Sequence, residues 1–319
     1  MPDRLSTEEL HEVLDAARWA PSVHNTQPWK VKVDADKFII LPDAAHKLVY
    51  GDPTGRQAFI SRGIFTEACI IALGHAGFTA PKPKLEGEAI ILKLSSTAKL
   101  GRDEDISALK DRFTDRTVYK KMELPVEVIN KIKETWSSSD VSIAATNDRK
   151  IIEKTAELTR QALSLAFSNP DFRKELTDYF VAKPSAPYGI PLSTLGTGKL
   201  KARAVKQLIR SGLNRKQEAQ LEYERWSSAS GLVFILAGGD SKPYWLESGR
   251  AYLRASLELQ KLGLSQATSA AIVEAADFHE DIEKMLGTEK RIECVIRFGL
   301  GQRKRRPSGR LAPEQLLVT

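Results

Sequence analysis

Arg112, Thr114 and Arg116 stand at alternate positions of the stretch Arg112-Phe-Thr-Asp-Arg116-Thr-Val-Tyr119. In an extended backbone, residues i, i+2 and i+4 share one face, so two guanidiniums and a hydroxyl would point at one ligand. That set of donors suits a dianionic phosphate. A mixed-charge string is also an ordinary solvated surface, and a short motif alone does not separate the two. A second stretch, Ala20-Pro21-Ser22-Val23-His24-Asn25-Thr26-Gln27-Pro28-Trp29, puts small hydroxyl and amide tips between two residues of fixed φ. It reads as a preformed binding loop offering backbone N–H groups at low entropic cost, against the plainer reading of a helix-to-strand connection anchored by Trp29.

The flanking elements are well signalled. Ser6 with Glu9 forms a capping box, and Leu10, Val13, Leu14 and Ala17 follow at helical spacing, so residues 6–18 are expected to be an amphipathic helix that Pro21 ends. Val31 and Val33 alternate with Lys30 and Lys32, which is strand periodicity. A strand at 38–41, a long apolar helix at 57–76 and a strand at 89–94 come next. The same order recurs as a strand at 232–236, a helix at 244–261 and a strand at 294–298, while 126–143 supplies another helix and strand. Gly63 and Gly77 have the same spacing as Gly249 and Gly263, and Phe78 and Leu264 follow the later glycines. Gly77 and Gly263 are natural left-handed helix stops, and their equal spacing points to an internal repeat.

With 319 residues, the chain is long enough for two domains of roughly 150 residues each. It has no run of about 18 uninterrupted apolar residues and a polar N-terminus, so a soluble, cytoplasmic protein without a membrane partner is expected. Cys69 and Cys294 lie in apolar patterns without paired spacing and read as buried free thiols, and the five histidines form no metal motif. The net charge of +7 is concentrated in residues 199–216 and 303–310. Gln302-Arg303-Lys304-Arg305-Arg306 could be a nucleic-acid patch, but no helix-turn-helix, zinc finger or aromatic-rich basic sheet accompanies it, so a solvated basic tail and no nucleic-acid partner are expected. Gly196-Thr-Gly198-Lys199 is no P-loop, since Ser193 and Leu200 occupy positions that need Gly and Ser or Thr.

Pro21, Ser22, Asn25, Gln27, Pro28 and Trp29 reproduce a Pro-Ser-x-x-Asn-x-Gln-Pro-Trp loop, which resembles that of the nitroreductase-like FMN-binding family. The string at 112–116 is similar to the Arg-x-Ser-x-Arg stretch of the same family. The resemblance implies an α+β, nitroreductase-like fold in which two copies pair and FMN lies at their interface. It covers roughly residues 5–311 and is closest to the fused subgroup of mycobacterial Acg-type proteins. Here that means two tandem degenerate copies forming an intramolecular pseudo-dimer, with a first half at 1–105 and a second at 106–319. Each half retains a different piece, so one FMN per chain and a monomer are expected. The contacts the resemblance implies are Pro21, Ser22, Val23 and Asn25 from the loop, Arg112, Thr114 and Arg116 at the phosphate, Ser269, Ala270 and Ala271 as a close-approach wall, and Arg310 returning to the phosphate.

Residues 168–230 have no counterpart in the first half and read as a lid: a helix at 171–179, a stiff loop at 183–191 and a long basic helical stretch at 199–225. The loop, with Pro184, Pro187, Tyr188 and Pro191, is expected to cover the flavin face. The activity implied is two-electron transfer from NAD(P)H to a small-molecule acceptor of nitroaromatic or quinone type, the flavin carrying the chemistry with no catalytic side chain required. The alternative is a lid-covered protein that sequesters or senses FMN without turnover.

Overall fold

The computed structural model describes residues 4–80, 82–195, 199–301 and 308–318. The chain starts with α1 (Thr7–Ala17), held by the Ser6–Glu9 capping box, then a 3-10 turn at Val23–Asn25, and the hairpin β1 (Trp29–Asp34) and β2 (Lys37–Pro42). There follow α2 (Arg56–Ala76), β3 (Phe78–Thr79), β4 (Lys84–Glu86), β5 (Ala89–Lys93), β6 (Ser95–Ser96) and α3 (Asp103–Asp111). The second part holds α4 (Val126–Lys133), β7 (Val141–Thr146), α5 (Arg149–Ala166), α6 (Pro170–Asp178), β8 (Phe180–Val181), β9 (Ile190–Pro191), α7 (Lys199–Ser211) and α8 (Arg215–Ser227). It ends with β10 (Gly231–Ala237), α9 (Lys242–Lys261), β11 (Ser265–Thr268), α10 (Ala271–Glu274), α11 (Phe278–Leu286), β12 (Arg291–Gly299) and α12 (Pro313–Leu316).

Two antiparallel four-stranded sheets, ordered β1-β2-β5-β4 and β7-β10-β12-β11, make the fold α+β. Their connectivities match position for position. A helix (α1 or α4) precedes the edge strand, the neighbouring strand leads into the long helix (α2 or α9), and the last strand returns to the third place. α2 and α9 pack on one another at the centre, and a single apolar cluster runs from Phe38, Phe65 and Leu92 of the first sheet side to Val233, Leu253 and Ile296 of the second. α2 is long and apolar enough to cross a membrane, but 78% of its apolar window is buried inside the protein, so it is a core helix. Gly77 (φ 92°) and Gly263 (φ 71°) both adopt the left-handed conformation at the ends of these helices, as their spacing predicts.

Three features differ from the sequence expectation. The segment without a first-half counterpart starts at 147 rather than 168, because β7 ends at Thr146 and β10 begins at Gly231, whereas β1 and β2 are joined by two residues. The basic stretch expected as one helix is two, α7 and α8, broken where Gly212 takes φ 78° against the Arg173 guanidinium. The C-terminal segment also crosses back to the first half: Val318 N donates to Val31 O at 2.9 Å, and Lys30 Nζ donates to Gln315 O at 2.6 Å. Both cysteines are buried and free. Gly196–Gly198 and most of the basic tail at 302–307 lie outside the described residues.

Candidate functional site

The loop after α1 is held in an unusual backbone. His24 (φ 46°), Asn25 (φ 58°) and Gln27 (φ 48°) all adopt positive φ, which is costly for non-glycine residues and persists only where the surroundings fix it. The fixing contacts are visible. Ser22 Oγ accepts from Gln27 N at 2.9 Å, Ser61 Oγ of α2 accepts from Val23 N at 3.1 Å, and Trp29 stacks on Phe65 at 4.4 Å. The two amides then tie the loop to remote segments. Asn25 Nδ2 donates to the carbonyls of Pro187, Gly189 and Gly309 at 3.1 to 3.3 Å. Gln27 donates to Pro187 O at 2.6 Å and accepts from Leu311 N at 3.0 Å.

This loop borders a cavity of about 590 Å3 enclosed by the start of α2, the end of α5, α6, α8, α9, the β11–α10 segment and β12. A narrower cleft of about 60 Å3 adjoins it, sharing Pro21, Ser22, His24, Thr114, Arg116 and Ile190. Pro21, Ser22, Val23, Thr114, Arg116, Ser269, Ala270 and Ala271 line the large cavity. Asn25, Arg112 and Arg310 line the cleft. The candidate contact residues thus line two adjoining hollows, whereas Gln27, Pro28 and Trp29 of the loop do not. Thr114 pairs with Gln266 of β11 as an isolated bridge, which sets this string beside the second sheet, and residues 112, 113, 114 and 116 all line the cleft.

The donors differ in how they are held. Arg116 makes no hydrogen bond or ion pair among the described residues; burial lowers its pKa, which Glu222 opposes and Arg225 and Arg297 reinforce. Arg310 donates to its own neighbours, Ser308 O and Gly309 O, and stacks on Trp19 at 5.9 Å. Asn25 has its amide hydrogens committed to three carbonyls, so this side chain holds segments together.

Several lining groups have no counterpart in the sequence reading. His24 borders both hollows with its Nδ1 buried and unpaired; burial, then Arg116, pushes its pKa to about 4, leaving a neutral imidazole beside the free guanidinium. Tyr252 of α9 is pushed to about 12 by burial, which Arg112 and Arg116 oppose. Glu222 donates nothing and accepts from Trp226 Nε1 (2.9 Å) and Arg225 Nη1 (3.0 Å); burial raises its pKa, but Arg225 and Arg297 hold it below the usual range. At the opposite end Glu274 accepts from Gln57 Nε2 at 2.8 Å and Arg56 Nε at 3.1 Å. Glu293 beside it is fully buried with neither oxygen hydrogen-bonded, and burial raises it to about 7 against Arg56 and Arg291. Glu293 had a sequence signal, a lone carboxylate in the apolar strand Ile292-Glu-Cys-Val-Ile296. His24 had one too, inside the loop already noted.

The segment expected to be a lid contributes to the hollows unevenly. Of the 183–191 loop only Gly189 and Ile190 line them, whereas Phe167, Phe172 and Leu176 near the α5–α6 junction, Ile209 of α7 and Glu218 and Glu222 of α8 line the larger one. The loop carbonyls are occupied in bonding Asn25 and Gln27. A second fastening lies on α6, where the Glu175 carboxylate accepts from the backbone N–H groups of Val49 (2.5 Å), Tyr50 (3.1 Å) and Gly51 (2.7 Å).

The model of the Nitroreductase family matches residues 1–51, the segment holding the capped helix and the loop. Over 118 residues the chain is 30% identical to "Putative NAD(P)H nitroreductase Rv3131" of Mycobacterium tuberculosis, covering 35% of this chain and 34% of that one, so this match spans about a third of the relative's length. It is 21% identical over 320 residues to "Putative NAD(P)H nitroreductase acg" of the same organism, covering 96% and 94%. Among solved structures it is similar to the FMN-dependent nitroreductase NfnB from Mycobacterium smegmatis in complex with NADPH, at 16% identity, 62% and 88% coverage and a TM-score of 0.40. The chain is thus nitroreductase-like in its first 51 residues and follows the mycobacterial Acg protein along nearly its whole length.

Proposed function

We propose that the chain binds one FMN in the cavity and is an NAD(P)H-dependent oxidoreductase of the nitroreductase kind, acting on a small nitroaromatic or quinone-type acceptor. The observation that carries the reading is Arg116, a half-buried guanidinium that forms no hydrogen bond or ion pair among the described residues, at the junction of a narrow cleft that Arg112, Thr114 and Arg310 also line and a larger cavity. A phosphate in the cleft would accept charge-assisted hydrogen bonds from these side chains, Arg116 above all, and the larger cavity has the size and partly apolar lining that a flat ring needs. When bound, FMN supplies the two-electron chemistry. The chain's own residues then bind and orient. The 112–116 string and Ser22 fix one end, Ser269, Ala270 and Ala271 leave room for close backbone approach, and the lid excludes water. The printed name of the relative matched along nearly its whole length, NAD(P)H nitroreductase, points the same way.

The matching connectivities of the two sheets support reading the chain as tandem copies that form an internal pseudo-dimer and act as a monomer, with the 20–29 loop and the phosphate string coming from different copies. A second reading has one specific observation in its favour. The lid is fastened by Glu175 on one side and by Asn25 and Gln27 on the other, which suits a protein that holds FMN without turnover. Anaerobic mixing of the yellow protein with NADH and NADPH, with dithionite as the control, decides. Bleaching by a nicotinamide supports the oxidoreductase, bleaching by dithionite alone supports sequestration, and a colourless protein that binds no added FMN removes both.

A further inference from the structure

The outer surface of the lid carries a feature that the cavity does not use. Residues 199–217 contain seven lysines and arginines and no aspartate or glutamate, in a chain whose whole formal excess is +7. On α7 the inward residues Ala202 and Ile209 pack with Phe167 and Phe180 in the lid's own small core. Ala204, Leu208 and Ser211, spaced i, i+4, i+7, are exposed on the opposite side. Leu208 is 40% exposed, and Leu213, at the tip where α7 turns into α8, is 81% exposed.

Two of the cations serve the fold, Lys206 donating to Phe180 O at 3.0 Å and Arg210 pairing with Asp178 at 2.7 Å. Arg203, Arg215 and Lys216 are exposed and form no ion pair among the described residues. Of the neighbouring acids, Asp178 is paired with Arg210 and Lys174, while Glu175 and Glu218 keep their charge but bond the 49–51 backbone and Asn214 rather than Arg203, Arg215 or Lys216.

We infer that the α7–α8 hairpin is a docking surface for an anionic lipid bilayer, with Leu208 and Leu213 entering the headgroup boundary and Arg203, Arg215 and Lys216 engaging the anionic headgroups. One exposed leucine on α7 and a second at the α7–α8 turn, with unpaired cations on both helices, suit such an interface. Nucleic acid would use the cations but leaves a leucine at the tip without a role. The expectation of no membrane partner rested on the lack of a spanning segment, and surface docking needs none. This inference does not depend on the FMN reading.

The test is co-sedimentation of the full chain with phosphatidylglycerol–phosphatidylcholine vesicles and with pure phosphatidylcholine vesicles at low and physiological salt. Binding at least about tenfold tighter to the anionic vesicles, weakening as salt screens the charges, is expected. The triple variant Arg203→Glu, Arg215→Glu, Lys216→Glu should lose that preference, and Leu213→Ser should lose a several-fold part of it, both with unchanged circular dichroism. Replacing Arg303, Lys304, Arg305 and Arg306 by serine should leave most of the binding. Equal binding to neutral vesicles, loss of binding only in the tail variant, or tighter capture of an oligonucleotide than of anionic vesicles would each overturn the inference.

Discussion

Gly63 of α2 and Gly249 of α9 face each other where the two long helices cross: a Cβ on Gly249 would lie 2.7 Å from Ile64 N and 2.8 Å from Gly63 Cα, and one on Gly63 would run into the Leu246 carbonyl. The obstacles are backbone atoms, so they cannot rotate away. Gly249→Ala is expected to destabilise the chain by about 1 to 3 kcal/mol, the usual cost of overpacking, and Gly63→Ala by a similar amount. Urea unfolding measures it, and a stability within error of the wild type would mean the helices are free to separate.

Arg116→Ala is expected to weaken FMN binding by about 1.5 to 3 kcal/mol, the scale of a hydrogen bond to a charged group. Arg116 is the informative choice because its guanidinium has no structural duty, whereas Arg310 is already bonded to Ser308 O and Gly309 O. Fluorescence titration with FMN reads the affinity, and unchanged binding would place the phosphate elsewhere.

On the proposed reading, in which each copy keeps a different part of the site, one FMN per chain is the expected stoichiometry. Counting released flavin against protein, with light scattering to give the molecular mass, tests this together with the monomer. A ratio near two, or a dimer stable below micromolar concentration, contradicts it.

Glu293 makes stability depend on pH in a predictable direction. Its folded pKa of about 7 lies above the ordinary glutamate value of 4.5, so its contribution is fully present below about pH 4.5 and is lost as pH rises to about 7. Glu293→Gln removes the charge that must otherwise be buried. At pH 8 the variant is expected to be more stable than the wild type by up to about 2 kcal/mol, the gap closing by pH 5. A variant less stable at pH 8 would show that Arg56 and Arg291 need this carboxylate.

Glu175→Gln weakens the fastening of α6 on residues 49–51, because the N–H groups use both carboxylate oxygens, whereas an amide offers one uncharged accepting oxygen and turns an NH2 donor toward the rest. Amide exchange at Val49, Tyr50 and Gly51 should accelerate. If the lid gates nicotinamide, reduction of bound FMN should quicken while FMN affinity holds; faster exchange with unchanged reduction would mean that access does not pass under α6.

The elements and their order were legible in the sequence because local rules decide them. The Ser6–Glu9 box starts α1, alternation marks β1, and Gly77 and Gly263 stop the two long helices in the left-handed conformation. Residues 112, 114 and 116 do reach one cleft, but Phe113 lines it with them, so alternation alone did not decide the lining. What pairs with what was decided only by the tertiary structure. No spacing announces that Asn25 and Gln27 spend their amides on Pro187, Gly189, Gly309 and Leu311, 160 to 284 residues away, so that the loop's polar tips tie remote segments together rather than simply face a ligand. Nor does composition say that Arg116 ends without a partner while Arg210 finds Asp178, or that Glu293 is buried without hydrogen bonds. Those outcomes depend on which surfaces meet when α2 and α9 pack, and long-range packing sets the partners and the desolvation that a local pattern cannot encode.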